Sequence, residues 1–214
     1  MAHEYAHGAA AFRQGDDTAY MLGRLTFNPL PHVDPWMSVV MPALLWFLSK
    51  GSFVFGAARP VPINPRKFRH YRRGDIIVSS AGVITNFAIA LGCAVAFVLI
   101  GLGAPLLGPA LALADTAQRM MMLGIQLNLF LCFFNLIPIP PLDGSRLLYH
   151  LLPPAWGAQY RALDRFGFLL VLALVMLAPG LLAVLLTPAS FMGLHLITLV
   201  RPYAVGDGWN IFQT

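Results

Sequence analysis

The sequence predicts an all-α polytopic membrane protein with about four transmembrane helices plus one re-entrant, partly extended loop. Three observations carry that prediction. Hydrophobic residues make up 58% of the 214 positions and charged residues 11%, under half the roughly 25% charge of a soluble domain. The mean hydropathy is +0.70, and apolar runs close to or above the ~20 residues that cross a bilayer as helix recur along the chain. The formal net charge of +5 gathers between Arg59 and Arg73, between apolar segments, as in cytoplasmic loops. That distribution argues against nucleic acid as a partner and for a lipid bilayer.

Taken in order, Met1 to about Gln14 reads as the end of a helix, and Gly15 to Pro35 as a loop rich in Gly, Pro, Asp and Asn. Trp36 to Gly56 is apolar but interrupted. Ala57 to Asp75 is basic and broken by Pro60, Pro62 and Pro65. Ile76 to about Leu102 and Met120 to Ile137 are long apolar helices. A proline break, Pro138-Ile139-Pro140-Pro141, then leads into Leu142-Asp143-Gly144. Phe166 to about Leu186 is the last clear spanning run, with a kink expected at Pro179-Gly180. Phe191 to Val200 is too short to span. No internal repeat or linker divides the chain, so residues 1–214 read as a single domain. Cys93 and Cys132 form no CxxC pair and read as small buried side chains.

The chemistry begins at His3-Glu4-Tyr5-Ala6-His7. On a helix, residues four apart share a face, so two imidazoles at this spacing can hold one zinc ion. The adjacent glutamate can then reach a metal-bound water and take its proton. Without a metal, the same residues would be two incidental histidines on an N-terminal helix. Tetrahedral zinc needs a third protein ligand. Asp143 is the best candidate, because an ionised side chain after a hydrophobic helix is costly without a cation. Its bland alternative is an ordinary Asp-Gly turn.

Four ordered stretches carry a family resemblance: HEYAH at 3–7, NPLPHVDP at 28–35, SSAGVITN at 79–86 and NLIPIPPLDG at 135–144. Together they resemble the short prokaryotic branch of the site-2 protease family. The resemblance implies an intramembrane zinc metalloprotease, multi-pass in a prokaryotic cell membrane, that cuts transmembrane segments of other proteins. It implies His3, His7 and Asp143 as ligands of one zinc ion per chain, Glu4 as general base, and Asn135 as a residue that holds or polarises the substrate backbone. Family members carry an apolar half-helix before the HExxH motif, whereas only Met1 and Ala2 precede His3 here. The reading therefore expects a domain lacking the N-terminal half of its first helix, with an apolar stretch of about 10–15 residues upstream to complete the span.

Shared zinc ligation imposes a topology. His7 lies near the Gly15 membrane face, and Asp143 follows two crossings, so Trp36 to Gly56 must cross an even number of times. A re-entrant element satisfies this. Asp34 would cap it and Pro35 suits its first turn. Trp36 to Lys50 would make about 22 Å of helix, short of the ~30 Å hydrocarbon core, and Gly51 to Pro62 would return as extended chain. A substrate could add as a strand near Phe53 to Val61. Asn86 and Asn128 read as helix–helix hydrogen-bonding residues, and His32 as a loop-stabilising residue. Two other functions use the same residues: an inactive membrane relative acting as a binding or scaffold protein, and a metal transporter, which the scarcity of acids outside the two motifs disfavours.

Overall fold

The computed structural model describes residues 1–214 except 52, 53, 55, 57, 58, 107, 109, 110, 206–208 and 210–214. Among the described residues the chain is helical, and no strand occurs. It divides into two compact units, Met1–Gly82 and Val83–Thr214.

In the first unit, α1 (Ala2–Gln14) ends at Gly15, whose φ of 109° lets its N–H and its neighbour's turn back on the last carbonyls. A side chain is disfavoured at that φ, which is why glycine closes this helix. Buried Asp16 follows. Its carboxylate accepts from the N–H and hydroxyl of Thr18, starting α2 (Thr18–Met21), and from the Asn64 N–H at 2.6 Å. Ala11, Phe68 and Val78 form this unit's small core, with Ala10 and Ile63 against it.

The re-entrant segment starts as the sequence predicts. The Asp34 carboxylate accepts from the N–H groups of Trp36 and Met37 at 3.0 and 2.9 Å, and Pro35 occupies the first turn. A π-turn (Pro35–Val40) continues into α3 (Met41–Leu48), together about 21 Å long at 1.5 Å per residue. Lys50 and Gly51, at φ 52° and 83°, reverse the chain. The excursion closes where it opened, since the Arg59 N–H donates to the His32 carbonyl at 2.9 Å. Pro60 to Asn64 then run without helix. Farther on, the Arg69 N–H donates to the Gln14 carbonyl at 2.9 Å, so the two ends of this unit's loop region lie at one level, as the even-crossing argument requires. Phe53 and several of its neighbours lie outside the described residues, so the strand-addition site falls partly there.

One helix, α4 (Tyr71–Gly103), runs from the first unit into the second. The second unit contains the rest of α4, α5 (Leu111–Leu136), α6 (Asp143–Tyr149), α7 (Pro154–Arg161), α8 (Gly167–Leu177), α9 (Pro179–Leu185) and α10 (Thr187–Val200). Its core joins Ala90, Ala94 and Phe97 of α4 to Ile125 and Leu129 of α5 and Val200 of α10. Buried Gln118 knots the far end: its amide donates to the carbonyls of Phe97 and Tyr203, and its oxygen accepts from the Val205 N–H at 2.8 Å.

Among the described residues, two helical segments are long and apolar enough to cross a membrane, Tyr71–Leu106 and Leu111–Leu136. A third counts if α7 through α9 is taken as one bent span. The described helices thus supply two or three spans against the expected four or so, because α1, at 13 residues, falls short of the ~20 a straight span needs; α10, at 14 residues, is also too short, as the sequence predicts. The expected kink at Pro179 is a 100° break. Proline offers no N–H to the preceding turn, and Ala178 leaves helical geometry at φ −133°, ψ 51°. Asn128 also departs from expectation. Its amide bonds back to the Gly124 carbonyl of its own helix at 2.8 Å, a local partner that needs no neighbouring helix. His32 is fully buried, with Nε2 3.1 Å from the Thr26 carbonyl, the loop-stabilising role expected of it.

Candidate metal centre

The site grows from the helical spacing in α1. His3 and His7 are four positions apart, and their rings meet edge to face with centroids 4.5 Å apart. The two Nε2 atoms are 2.9 Å apart. Buried His7 is anchored from the other side, with Nδ1 2.7 Å from the Val78 carbonyl. A carbonyl only accepts, so Nδ1 carries the proton and donates it, and Nε2 is left with its lone pair. A histidine that ligates a metal through one nitrogen and donates from the other has this arrangement.

Two imidazole nitrogens at this separation repel unless a proton or a cation lies between them. The donor set is that of zinc, which binds imidazole nitrogen readily. The surroundings fit as well. Gly82, one turn beyond Val78 on α4, faces the pair: a Cβ there would lie 2.4 Å from His3 Cε1 and 2.5 Å from His7 Nε2. Only a residue without a side chain leaves this space open.

Glu4 is half-buried, and its Oε2 accepts the Val61 N–H at 2.9 Å. Val61 is buried, and its methyl would lie 3.1 Å from a Cβ at Gly8 of α1. The non-helical stretch Pro60 to Asn64 therefore passes over the face of α1 that carries the motif and fixes the carboxylate by a backbone donor.

Asp143 belongs to the second unit, as the first residue of α6. Its setting there is tightly built. A Cβ at Gly144 would stand 2.1 Å from the Leu136 carbonyl oxygen, and one at Gly167 would stand 3.0 Å from the Pro141 nitrogen. The Tyr160 hydroxyl donates to the Pro138 carbonyl at 2.8 Å. The proline break is thus gripped on two sides, which sets where α6 begins and where Asp143 stands. Asn135, in the last turn of α5, donates from its amide to the Leu131 carbonyl at 2.8 Å.

Comparison with known proteins agrees with this chemistry. A family model described as peptidase family M50 matches residues 102–178. A Bacillus subtilis protein named "Putative zinc metalloprotease YwhC" is 38% identical over 173 residues, covering 80% of this chain and 74% of the relative. The chain belongs to peptidase family M50. Proteins named "Putative zinc metalloprotease Rip2" from Mycolicibacterium smegmatis and Mycobacterium tuberculosis are 31% and 29% identical, covering 81% and 84% of this chain. The chain spans 61% and 63% of those two, less than two thirds of their length. No solved structure matches it. Membership in M50, with relatives named as zinc metalloproteases, bears out the site-2 protease resemblance and makes zinc the implied ion.

Three parts of the first unit's site were not singled out from sequence: the Val78 carbonyl, Gly82 and the Val61 N–H. Gly82 had a readable signal. A glycine inside a long helix costs about 1 kcal/mol relative to alanine and so points to a close approach. The other two are backbone groups, which carry no residue signature.

Proposed function

We propose that this M50 protein is an intramembrane zinc endopeptidase that hydrolyses peptide bonds in or near transmembrane segments of other membrane proteins. It would act as a multi-pass protein of a prokaryotic cell membrane, with one zinc ion per chain held by His3, His7 and Asp143. The observation that carries this reading is the His3–His7 pair, with Nδ1 of His7 committed to Val78 and Glu4 beside it. When bound, zinc polarises the scissile carbonyl and lowers the pKa of water at the site. The Glu4 carboxylate accepts the proton of the attacking water and returns it to the leaving amine. The Val61 N–H on Oε2 fixes the orientation of that carboxylate and leaves Oε1 for the proton. Asn135 would receive the substrate backbone through its carboxamide oxygen, since its amide bonds within α5.

The test is zinc per chain by elemental analysis, together with cleavage of a transmembrane test substrate. Glu4→Gln keeps its zinc and loses cleavage by about 10²-fold or more, whereas Asp143→Ala loses most of its zinc. Cleavage by Glu4→Gln at the wild-type rate would remove Glu4 as the base. Wild-type zinc in Asp143→Ala would remove the third ligand. Zinc in the wild type without cleavage would leave a binding protein or a transporter.

A further inference from the structure

Among the described residues, Arg24 has no carboxylate partner. It is nine-tenths buried, and both of its bonds come from Nη2, to the carbonyls of Arg59 at 3.0 Å and Pro60 at 3.3 Å. Its Nε is buried and has no acceptor among the described residues. Carboxylates of the same unit make other bonds: Glu4 with the Val61 N–H, Asp16 with Thr18 and Asn64, Asp17 with Lys67, and Asp34 with the first turn before α3. A buried cation compensated only by two carbonyls is costly.

Beside it lies a cavity of about 410 Å³, lined by Leu22, Arg24, Pro31, Arg59, Pro60 and Pro62. Among these described lining residues, the charged side chains are the two arginines. The volume falls within the ~300–1,000 Å³ of small-ligand sites. Guanidinium groups match the oxygens of a phosphate by paired, directional N–H donors, and Leu22 with three prolines offers an apolar wall to carbon esterified to that phosphate.

We propose that this cavity is an anion site that binds a phosphate group, with Arg24 and Arg59 as its cationic ligands. The phosphate is that of an anionic phospholipid headgroup or free inorganic phosphate; the recognition chemistry is shared. Occupancy compensates the buried charge of Arg24. It also secures the carbonyls of Arg59 and Pro60, directly before the Val61 N–H that holds Glu4.

The intact chain is reconstituted in nanodiscs of phosphatidylcholine, with or without phosphatidylglycerol. Native mass spectrometry counts retained phosphatidylglycerol, and calorimetry follows titration of inorganic phosphate into the phosphatidylcholine discs. Arg59→Gln removes one ligand while keeping the backbone carbonyl that Arg24 holds, and the exposed side chain makes the variant compatible with folding, which an unchanged melting curve verifies. The wild type binds one or both probes, and Arg59→Gln weakens that binding about tenfold, the loss expected for one charge-assisted contact. Arg24→Gln weakens it further. Binding of phosphatidylglycerol alone identifies a lipid site; binding of phosphate in its absence identifies a free-anion site. Equal binding by wild type and Arg59→Gln, or binding of neither probe, overturns the proposal. Zinc and proteolysis are not read in this experiment, so its outcome is independent of the catalytic reading.

Discussion

The two units are held by different forces. In Met1–Gly82, directional bonds from buried polar groups fix the chain: Asp16 ties α2 and Asn64 to the end of α1, Arg24 holds two carbonyls, and Glu4 holds Val61. Its hydrophobic core is one small cluster of Ala11, Phe68 and Val78. In Val83–Thr214, packing dominates, with Phe97, Ile125 and Leu129 filling the space between long apolar helices, and Gln118 is the buried polar knot at one end. The lesson is about placement of chemistry. A histidine pair that is to hold a metal requires orientation within a fraction of an ångström, and hydrogen bonds orient where dispersion only compacts.

The comparison makes substitutions in the two units respond differently, and the largest difference lies within one helix. Gly82→Ala should abolish or weaken zinc binding by about 10²-fold, the upper range for disturbed metal surroundings, because the new methyl meets both rings. Gly92→Ala, ten residues on in α4 where nothing lies within 4 Å of the added carbon, should bind zinc normally and gain up to ~1 kcal/mol of helix stability. Equal zinc in the two variants would contradict the close approach at Gly82.

Next in size is Asp16→Ala. It strands the Thr18 and Asn64 N–H groups and removes a buried charge, at a cost of roughly 2–4 kcal/mol. Faster amide exchange should appear at Thr18 and Asn64 while α5 and α10 stay protected. A uniform loss of protection across both units would show that they do not differ in this way. In the second unit, Gln118→Leu should cost less, about 1–3 kcal/mol, and its exchange effect should be confined to residues 201–205 and the adjoining turn of α4.

The smallest effect belongs to the exposed pair Asp17–Lys67. The hydrogen bond from Lys67, and then its charge, hold the Asp17 carboxyl below its ordinary value; the hydrogen bond to Asp17 raises Lys67. The stabilisation from Asp17 is present above the unfolded carboxylate pKa and is lost as pH falls through the lower folded value. That from Lys67 is present below its unfolded pKa and is lost only as pH rises through the raised folded value. Both are therefore in force at neutral pH. Because the pair is solvated and salt-screened, Asp17→Asn should leave the neutral-pH melting curve close to wild type. A large shift would mean that this surface contact matters as much as the buried ones.

Much of this was legible in the residues. The 3–7 spacing put two imidazoles on one helix face. Asp34-Pro35 announced the start of the re-entrant helix, and the parity of crossings anticipated the return that the Arg59–His32 and Arg69–Gln14 bonds make. Pro179-Gly180 marked the place of the kink, though not its 100° size. Harder to read was Asn128, which found its partner in its own helix.

The sequence by itself determined what depends on near neighbours along the chain: helix faces, caps, apolar runs and the pairing of His3 with His7 on one face of α1. Periods of four residues and capping side chains act locally, so they are visible in order alone. Only the tertiary structure decided which carbonyl orients His7, why position 82 has no side chain, and which amide holds Glu4. Those partners lie 71 residues from His7 in one case and 57 from Glu4 in the other, and two are backbone groups common to every residue. Which of them meets a given side chain is settled by packing in space, where chain order offers no signature.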